Sequence, residues 1–266
     1  MKEHDLNVPV NLKREDDDYF KHAFDYLKKQ EGSNRTFWLG LGGKPPLKGA
    51  KVLEVGCGFG SLCIDIALSG AEKVIGIDTN SRDIEFANNH LRQKYKNLTN
   101  VVEFIDIDLR NYSEFNFDYI VSKNAFEHVI NLEEMLSEIK RRLQPGGRLY
   151  AGFGPLWNSP FGLHGNVNGW NFKNKNPWGH LLIRENQLLE IFNHFLTNKV
   201  GSISELGLNQ MSLADYRRIF HDSEFSINYF KTNNHKNYKS KIFNLFSKLS
   251  LIEEYFTNNI YCILEK

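Results

Sequence analysis

Residues 51–60 read KVLEVGCGFG. Val52, Leu53 and Val55 form a short apolar run, and Gly56, Gly58 and Gly60 then lead into a helical pattern from Ser61 to Ser69. A short apolar run that enters a helix through a bare turn is the pattern of a buried strand followed by a ligand-binding turn. Three glycines let the backbone approach a nucleoside-like group and point N–H groups at its polar atoms. A dinucleotide fingerprint spaces its glycines G-x-G-x-x-G, which requires glycine where this chain has Ser61. Glu54, two residues ahead of Gly56, would repel a pyrophosphate, whereas its carboxylate suits a ligand carrying an ammonium and a sulfonium charge.

On these residues the segment E-V-G-C-G-F-G resembles the first motif of the class I S-adenosylmethionine-dependent methyltransferases. The resemblance implies that Glu54, Gly56, Gly58 and Gly60 serve the cofactor, with the glycine turn against its methionine and ribose parts. Further along, Lys73 to Ile77 reads as a second strand ending at Asp78, and Thr79 to Ser81 offer N-caps for the next helix. Asp78 therefore lies at a strand's carboxyl end, where open parallel sheets bind ligands, and its carboxylate can accept from both ribose hydroxyls. It matches the family's ribose-binding acidic position; by itself it also reads as an ordinary helix N-terminal residue.

Val101 to Ile105 is the expected third strand, followed by Asp106 and Asp108. A carboxylate there accepts from an exocyclic amine and so distinguishes adenine from a keto base. The spacing makes Asp108 resemble the adenine-contacting residue, with Asp106 a solvated neighbour. Phe117 to Val121 forms a fourth strand, and FDYIVSKNAFEHV resembles the family's fourth motif, which adds Asn124 to the cofactor set. The segment has neither the N-P-P-Y-like tetrapeptide of adenine amino methylation nor the Pro-Cys of cytosine carbon-5 chemistry, which argues against a DNA base as acceptor. A helix over Leu132 to Leu143 stops at Pro145, Gly146 and Gly147, and Arg148 to Phe153 is the fifth strand. L-Q-P-G-G-R-L resembles the family's turn before that strand, so the resemblance covers about residues 50 to 153.

Composition is consistent with one large globular domain: 266 residues, 41% hydrophobic and 24% charged, with a formal net charge of +1. That balance removes the main electrostatic reason for a nucleic-acid binder, which needs a concentrated basic face, so no nucleic-acid partner is expected, with a local basic patch the alternative. Cys57, Cys63 and Cys262 are odd in number and lack C-x-x-C spacing, which points to neither a disulfide framework nor a zinc cluster. The amino terminus has no signal-peptide core and nowhere do roughly 18 apolar residues run together, so a cytoplasmic location is expected.

The fold class these readings define is α/β: a Rossmann-like, seven-stranded, mostly parallel sheet with helices on both faces and the last strand antiparallel. Residues 1–49 are read as an N-terminal helix and linker, and 50–266 as the methyltransferase domain. The helix, Tyr19 to Lys29, is amphipathic and either covers the cofactor mouth or packs on the sheet. Residues 152–182 carry Trp157, Trp170 and Trp178 and no Asp or Glu, and read as an acceptor lid or as a compact surface loop. Arg184 to Leu196 and Ser212 to His221 read as helices, and Phe225 to Phe230 and Asn259 to Leu264 as the last strands. Between them, 231–258 is a basic helical insertion that either packs on the sheet or makes peripheral membrane contact.

Methyl transfer from a sulfonium is an in-line displacement by an already activated donor, so the protein mainly aligns the reactants. The resemblance implies S-adenosylmethionine as cofactor, with S-adenosylhomocysteine as product. A hydroxyl acceptor must also lose its proton, which a positioned histidine accelerates by about 10²- to 10⁴-fold. Of nine histidines, His128, His164 and His180 lie on the segments expected near the methyl group. His128 ranks first because it directly follows the fourth strand. The three histidines with Glu127 are also read, as a minor alternative, as ligands of a divalent metal that acidifies the acceptor hydroxyl; their spacings match no strong metal motif, and no metal is assigned. The expected reaction is O-methylation of a small polar acceptor such as a sugar or surface-glycan precursor. An amine, a carboxylate, a phosphate-linked oxygen or a cofactor-binding role without turnover are the alternatives.

Overall fold

The computed structural model describes residues 16–163, 166–167, 170–171, 177–196, 198–233, 245–246 and 249–266. Helix α1 (Asp16–Gly40) precedes β1 (Lys51–Val55), α2 (Ser61–Leu68), β2 (Lys73–Asp78), α3 (Ser81–Lys94), β3 (Val102–Asp106) and β4 (Phe117–Lys123). Helix α4 (Leu132–Arg142), β5 (Leu143–Phe153) and a small ribbon of β6 (Asn166–Val167) and β7 (Trp170–Asn171) follow. The chain continues through α5 (Glu185–Phe195), α6 (Leu213–Asp222), β8 (Ser226–Thr232), α7 (Glu253–Phe256) and β9 (Ile260–Glu265).

Seven strands form one sheet in the order β3-β2-β1-β4-β5-β9-β8. The first five pair in parallel, and β9 runs antiparallel to both of its neighbours, so the expected topology is the observed one. Alternation along the strands divides the core between the two faces. Leu53, Val55, Ile75 and Ile77 pack with Leu132, Leu136 and Ile139 of α4 and with Tyr216 and Phe220 of α6. Val52 and Val74 face the other way, against Phe37 and Trp38 of α1 and Leu62 and Ile66 of α2. A smaller cluster joins Leu188 and Phe192 of α5 to Ile203, Leu206 and Leu208, which anchors the loop leading to α6.

Three local expectations are corrected. Helix α1 extends past Lys29 to Gly40, and the linker is correspondingly shorter. Its second half is held by contacts that local periodicity does not carry: Trp38 Nε1 donates to Asp65 at 2.8 Å, and the Tyr229 hydroxyl donates to the Gly40 carbonyl at 2.9 Å. Strand β5 begins at Leu143, ahead of the Pro-Gly-Gly turn, because Leu143 pairs with Phe117 before an irregularity restores the register at Tyr119 and Arg148. Gly146 N donates to the Lys266 carbonyl and Lys266 N to the Gly147 carbonyl, which stitches the turn to the end of β9. In the 231–258 stretch, β8 runs on to Thr232 and Glu253–Phe256 form a short helix; Lys236, Lys239, Lys241 and Lys248 lie outside the described residues. Among the described residues no helix is long and apolar enough to cross a membrane.

Candidate active site

The strand order reverses between β1 and β4, and open parallel sheets bind ligands beside such a reversal, at the strands' carboxyl ends. A cleft of about 980 Å³ opens there. Its walls come from the glycine turn, from Asp78 to Asp83, from Ile107 to Arg110, from Lys123 to Phe126 with His128, and from Tyr19, Tyr26 and Gln30 of α1.

The three glycines of the turn do different things. All have positive φ, at 76° for Gly56, 48° for Gly58 and 79° for Gly60, a region in which side chains are strained. A Cβ on Gly60 would sit 2.3 Å from the Phe104 ring, and one on Gly56 2.7 Å from the Ala125 methyl, so neither position has room for a side chain, and Gly56 lines the cleft as well. A Cβ on Gly58 would meet nothing within 4 Å, because that residue faces the cleft. The turn is a cradle in which Gly58 is the point of open backbone approach.

Asp78 fastens this cradle. Its Oδ2 accepts from Gly58 N at 2.8 Å and its Oδ1 from Asn80 N at 3.0 Å. A carboxylate offers about four acceptor sites, so capacity for two more donors remains. Asn80 in turn caps α3 through Arg82 N and Asp83 N. Asp108 also lines the cleft, and Arg110 donates to it from the backbone N at 2.8 Å and from the guanidinium at 2.9 Å to each oxygen. That pairing holds the carboxyl below its ordinary range and leaves about one acceptor site for an amine. Arg142, fully buried, donates to the carbonyls of Leu109 and Tyr112 and so fixes the turn that carries this pair. Asn124 sits on the cleft with φ 54°, its N–H donating to the Gly152 carbonyl at 2.9 Å.

Glu54 lies beneath the turn and is not among the cleft-lining residues. It is 2% exposed, and its Oε2 accepts from the Cys63 thiol at 2.9 Å. Burial pushes its carboxyl up to about 8, against the opposing pull of Cys63 and Lys123. Lys123, unremarked in the sequence, lines the cleft and donates to the Gln30 carbonyl, the Ser33 hydroxyl and the Asn34 amide oxygen at 3.2, 2.7 and 2.6 Å. Burial brings that ammonium down to about 8, with Glu54 and Asp65 opposing. At the other end of the α1 wall the Tyr19 hydroxyl donates to Asp83, and Arg82 lies 4.3 Å from the Tyr19 ring centre. Helix α1 thus both packs on α2 and walls the cleft, which joins the two alternatives open in the sequence.

Of the three histidines, the structure brings His128 to the cleft. Its Nδ1 lies 2.6 Å from the Gly207 carbonyl. A carbonyl only accepts, so Nδ1 carries the proton and Nε2 is the accepting nitrogen of the neutral ring. His180 is not brought there: it is 3% exposed, its Nε2 is 2.7 Å from the Trp157 carbonyl, and it packs edge-on against the Trp157 ring. Burial pulls its imidazole below the ordinary range. His164, the Trp170 side chain, Lys173 and Lys175 lie outside the described residues. Among the described residues of 152–182 none lines the cleft, and Trp178 instead donates to the Tyr255 carbonyl and packs on Phe256. The three cysteines are free and buried, and among the described residues no three His, Cys, Asp or Glu side chains gather as a metal site.

A parallel sheet with this reversal, a glycine cradle at it and a strand-end carboxylate fastening the cradle define a class I S-adenosylmethionine-dependent methyltransferase. Residues 46–193, more than half the chain, match the family described as a methyltransferase domain, and the chain belongs to that family, with S-adenosylmethionine as its cofactor. A ubiquinone biosynthesis O-methyltransferase from Coxiella burnetii is 35% identical over 104 residues, covering 39% of this chain and 43% of that protein. A sterol 24-C-methyltransferase from Pneumocystis carinii is 35% identical over 108 residues, covering 40% of this chain and 28% of that protein. The chain thus matches less than half the length of these curated relatives. The fold itself is shared with an S-adenosylmethionine-dependent methyltransferase from Mesorhizobium loti, at a TM-score of 0.53 and 16% identity over 84% of this chain and 94% of that one.

Proposed function

We propose that the enzyme methylates a hydroxyl oxygen of a small molecule and that His128 takes the hydroxyl proton. The observation that carries this reading is the cleft-lining imidazole whose Nδ1 is committed to the Gly207 carbonyl, so that Nε2 is its basic nitrogen. Relatives named O-methyltransferases support the acceptor atom. The residues present fit the cofactor. Gly58 offers open backbone, Asp78 retains capacity for two ribose hydroxyls and Asp108 for one adenine amine, and Asn124 adjoins them on the cleft wall. When bound, the cofactor supplies a methyl carbon on a sulfonium that departs as a neutral thioether. His128 Nε2 would take the proton of the acceptor hydroxyl, so that no net charge would be left on the oxygen once it is methylated. The imidazolium then returns its proton to water.

Around His128 the polar Asn131 and Glu134 line the cleft beside Phe126, Val129, Ile130 and Met135, four apolar side chains of which Ile130 is 54% exposed. These side chains favour a hydroxyl carried on an apolar skeleton over a bare sugar. The test is a panel of phenols, terpenoid alcohols and sugars with methyl-labelled cofactor, with product NMR separating O-methyl from C-methyl. On the acceptor that turns over, His128→Ala should lower kcat by about 10²- to 10⁴-fold with cofactor affinity intact. Full turnover in that variant, or a C-methyl product, would refute the proposal.

A further inference from the structure

Asn209 does not line the cleft, yet its side-chain amide and its backbone N–H are all engaged, most of them on the turn that carries His128. Its Nδ2 donates to the Phe126 carbonyl at 2.7 Å and to the Val129 carbonyl at 3.1 Å. Its backbone N donates to the Glu127 carbonyl at 3.1 Å. Its Oδ1 accepts from Met211 N at 3.1 Å and from the Tyr216 hydroxyl at 3.0 Å. Three of these five bonds therefore end on the carbonyls of residues 126, 127 and 129, the turn that brackets His128. Within the turn the Phe126 carbonyl already accepts from Val129 N at 3.3 Å, so Asn209 adds a second donor there and supplies donors to the Glu127 and Val129 carbonyls, which a short helical turn leaves open.

The same residue fixes the other side of the imidazole. Gly207, two positions earlier with φ 80°, presents the carbonyl that accepts from His128 Nδ1. The loop between them is held by buried Leu206 and Leu208, and below by Tyr216 of α6, whose first turn is closed by a Ser212–Asp215 capping box. Backbone under the ring and acceptor beside it are thus tied through one amide to a rigid helix. An N–H···O contact of 2.6 Å tolerates little displacement before the bond is lost. Without it the two neutral imidazole tautomers are free to exchange roles.

We infer that Asn209 is a positioning residue that holds His128 in its Nδ1–H tautomer, so that Nε2 is the proton-accepting nitrogen of the neutral ring. The effect on turnover rests on the base role proposed above for His128; the tautomer does not. A residue that merely stabilised the fold would lower the melting temperature and leave the ring nitrogens unchanged.

The experiment is ¹⁵N NMR of histidine-labelled protein, with the His128 ring signals assigned by their absence in His128→Gln. Read at alkaline pH, where imidazoles are neutral, wild type should show a single Nδ1–H form. Asn209→Ala should show a mixture with the Nε2–H form and a fall in kcat on the order of 10²-fold, the size expected of an ångström-scale misplacement. Affinity for S-adenosylhomocysteine should stay within about threefold, since no cofactor-facing group is altered. Asn209→Asp has the same volume and keeps an acceptor for Met211 and Tyr216, but sets a carboxylate oxygen against the Phe126 and Val129 carbonyls. It should shift the tautomer the same way, and it decides the matter if the alanine variant does not fold. Tyr216→Phe, which deletes one hydroxyl and keeps the ring, gives a third, milder reading. A single Nδ1–H form in the folded variants overturns the inference. An altered tautomer with undiminished turnover upholds it and refutes instead the base role of His128.

Discussion

Asp78→Asn tests the cradle and the cofactor assignment in one substitution. Both carboxylate oxygens face backbone donors, Gly58 N on one side and Asn80 N on the other. An amide has one oxygen and one NH₂, so either orientation sets a donor against a donor. One charge-assisted bond is lost and one N–H is left opposed, which costs about 2–3 kcal/mol of stability. In a chain of this size that corresponds to a fall of roughly 4–12 °C in Tm. The spare acceptor capacity for ribose falls as well, which should weaken S-adenosylhomocysteine binding by a further ~1.5–3 kcal/mol, or about 10- to 150-fold. Calorimetric titration measures the second effect and thermal unfolding the first. Asp106→Asn is the control, because Asp106 sits in register beside Asp78 on β3, is exposed and does not line the cleft. Wild-type affinity in folded Asp78→Asn, or equal weakening in Asp106→Asn, would refute the reasoning.

Gly58→Ala should cost only the ~1–2 kcal/mol of a left-handed alanine yet impair cofactor binding, because its methyl enters the cleft, whereas Gly60→Ala should be the more destabilising of the two through the Phe104 ring; denaturant unfolding and calorimetry would show the opposite ranking if the turn were mere packing. Glu54→Gln should reveal a pH-dependent difference in stability. The buried carboxyl keeps its proton up to about 8 in the folded protein, while the ordinary value in the unfolded chain is 4.5. The folded state therefore binds more protons between those limits, and wild-type stability falls as pH rises through that window, by at most ~1.4 kcal/mol per pH unit. The glutamine variant lacks this loss, so its stability relative to wild type should climb from pH 5 to pH 8. A pH-independent difference in unfolding free energy would contradict the burial argument.

What the sequence made legible was whatever is written locally. The apolar run of Val52, Leu53 and Val55, glycines at fixed spacing and carboxylates at or just past strand ends mark β1, its turn, Asp78 and Asp108 without reference to the rest of the chain. His128 was legible for the same reason, since it follows β4 in the chain. What was hidden depends on long-range partners. Gly32, Ser33 and Asn34 read as helix breakers, yet α1 runs through them because Lys123, Asp65 and Tyr229 hold its second half. His180 carries no local sign that Trp157 and Leu163 would enclose its neighbourhood in a small core. Asn209 resembles any loop asparagine until the fold brings residues 126–129 alongside it.

The clamp on α1 also sets a timetable for synthesis. The helix emerges among the first parts of the chain, but its middle is tied by Lys123, which follows Gln30 by 93 residues, and its end by Tyr229, which follows Gly40 by 189. At translation rates of about 5–20 residues per second, these partners arrive roughly 5–20 s and 10–40 s after the residues they secure. Until Lys123 arrives the α1 wall of the cleft lacks both anchors, and until Tyr229 arrives it lacks the second. The nascent chain therefore passes through a stage in which β1, β2 and the glycine turn exist before the cleft they serve can be closed.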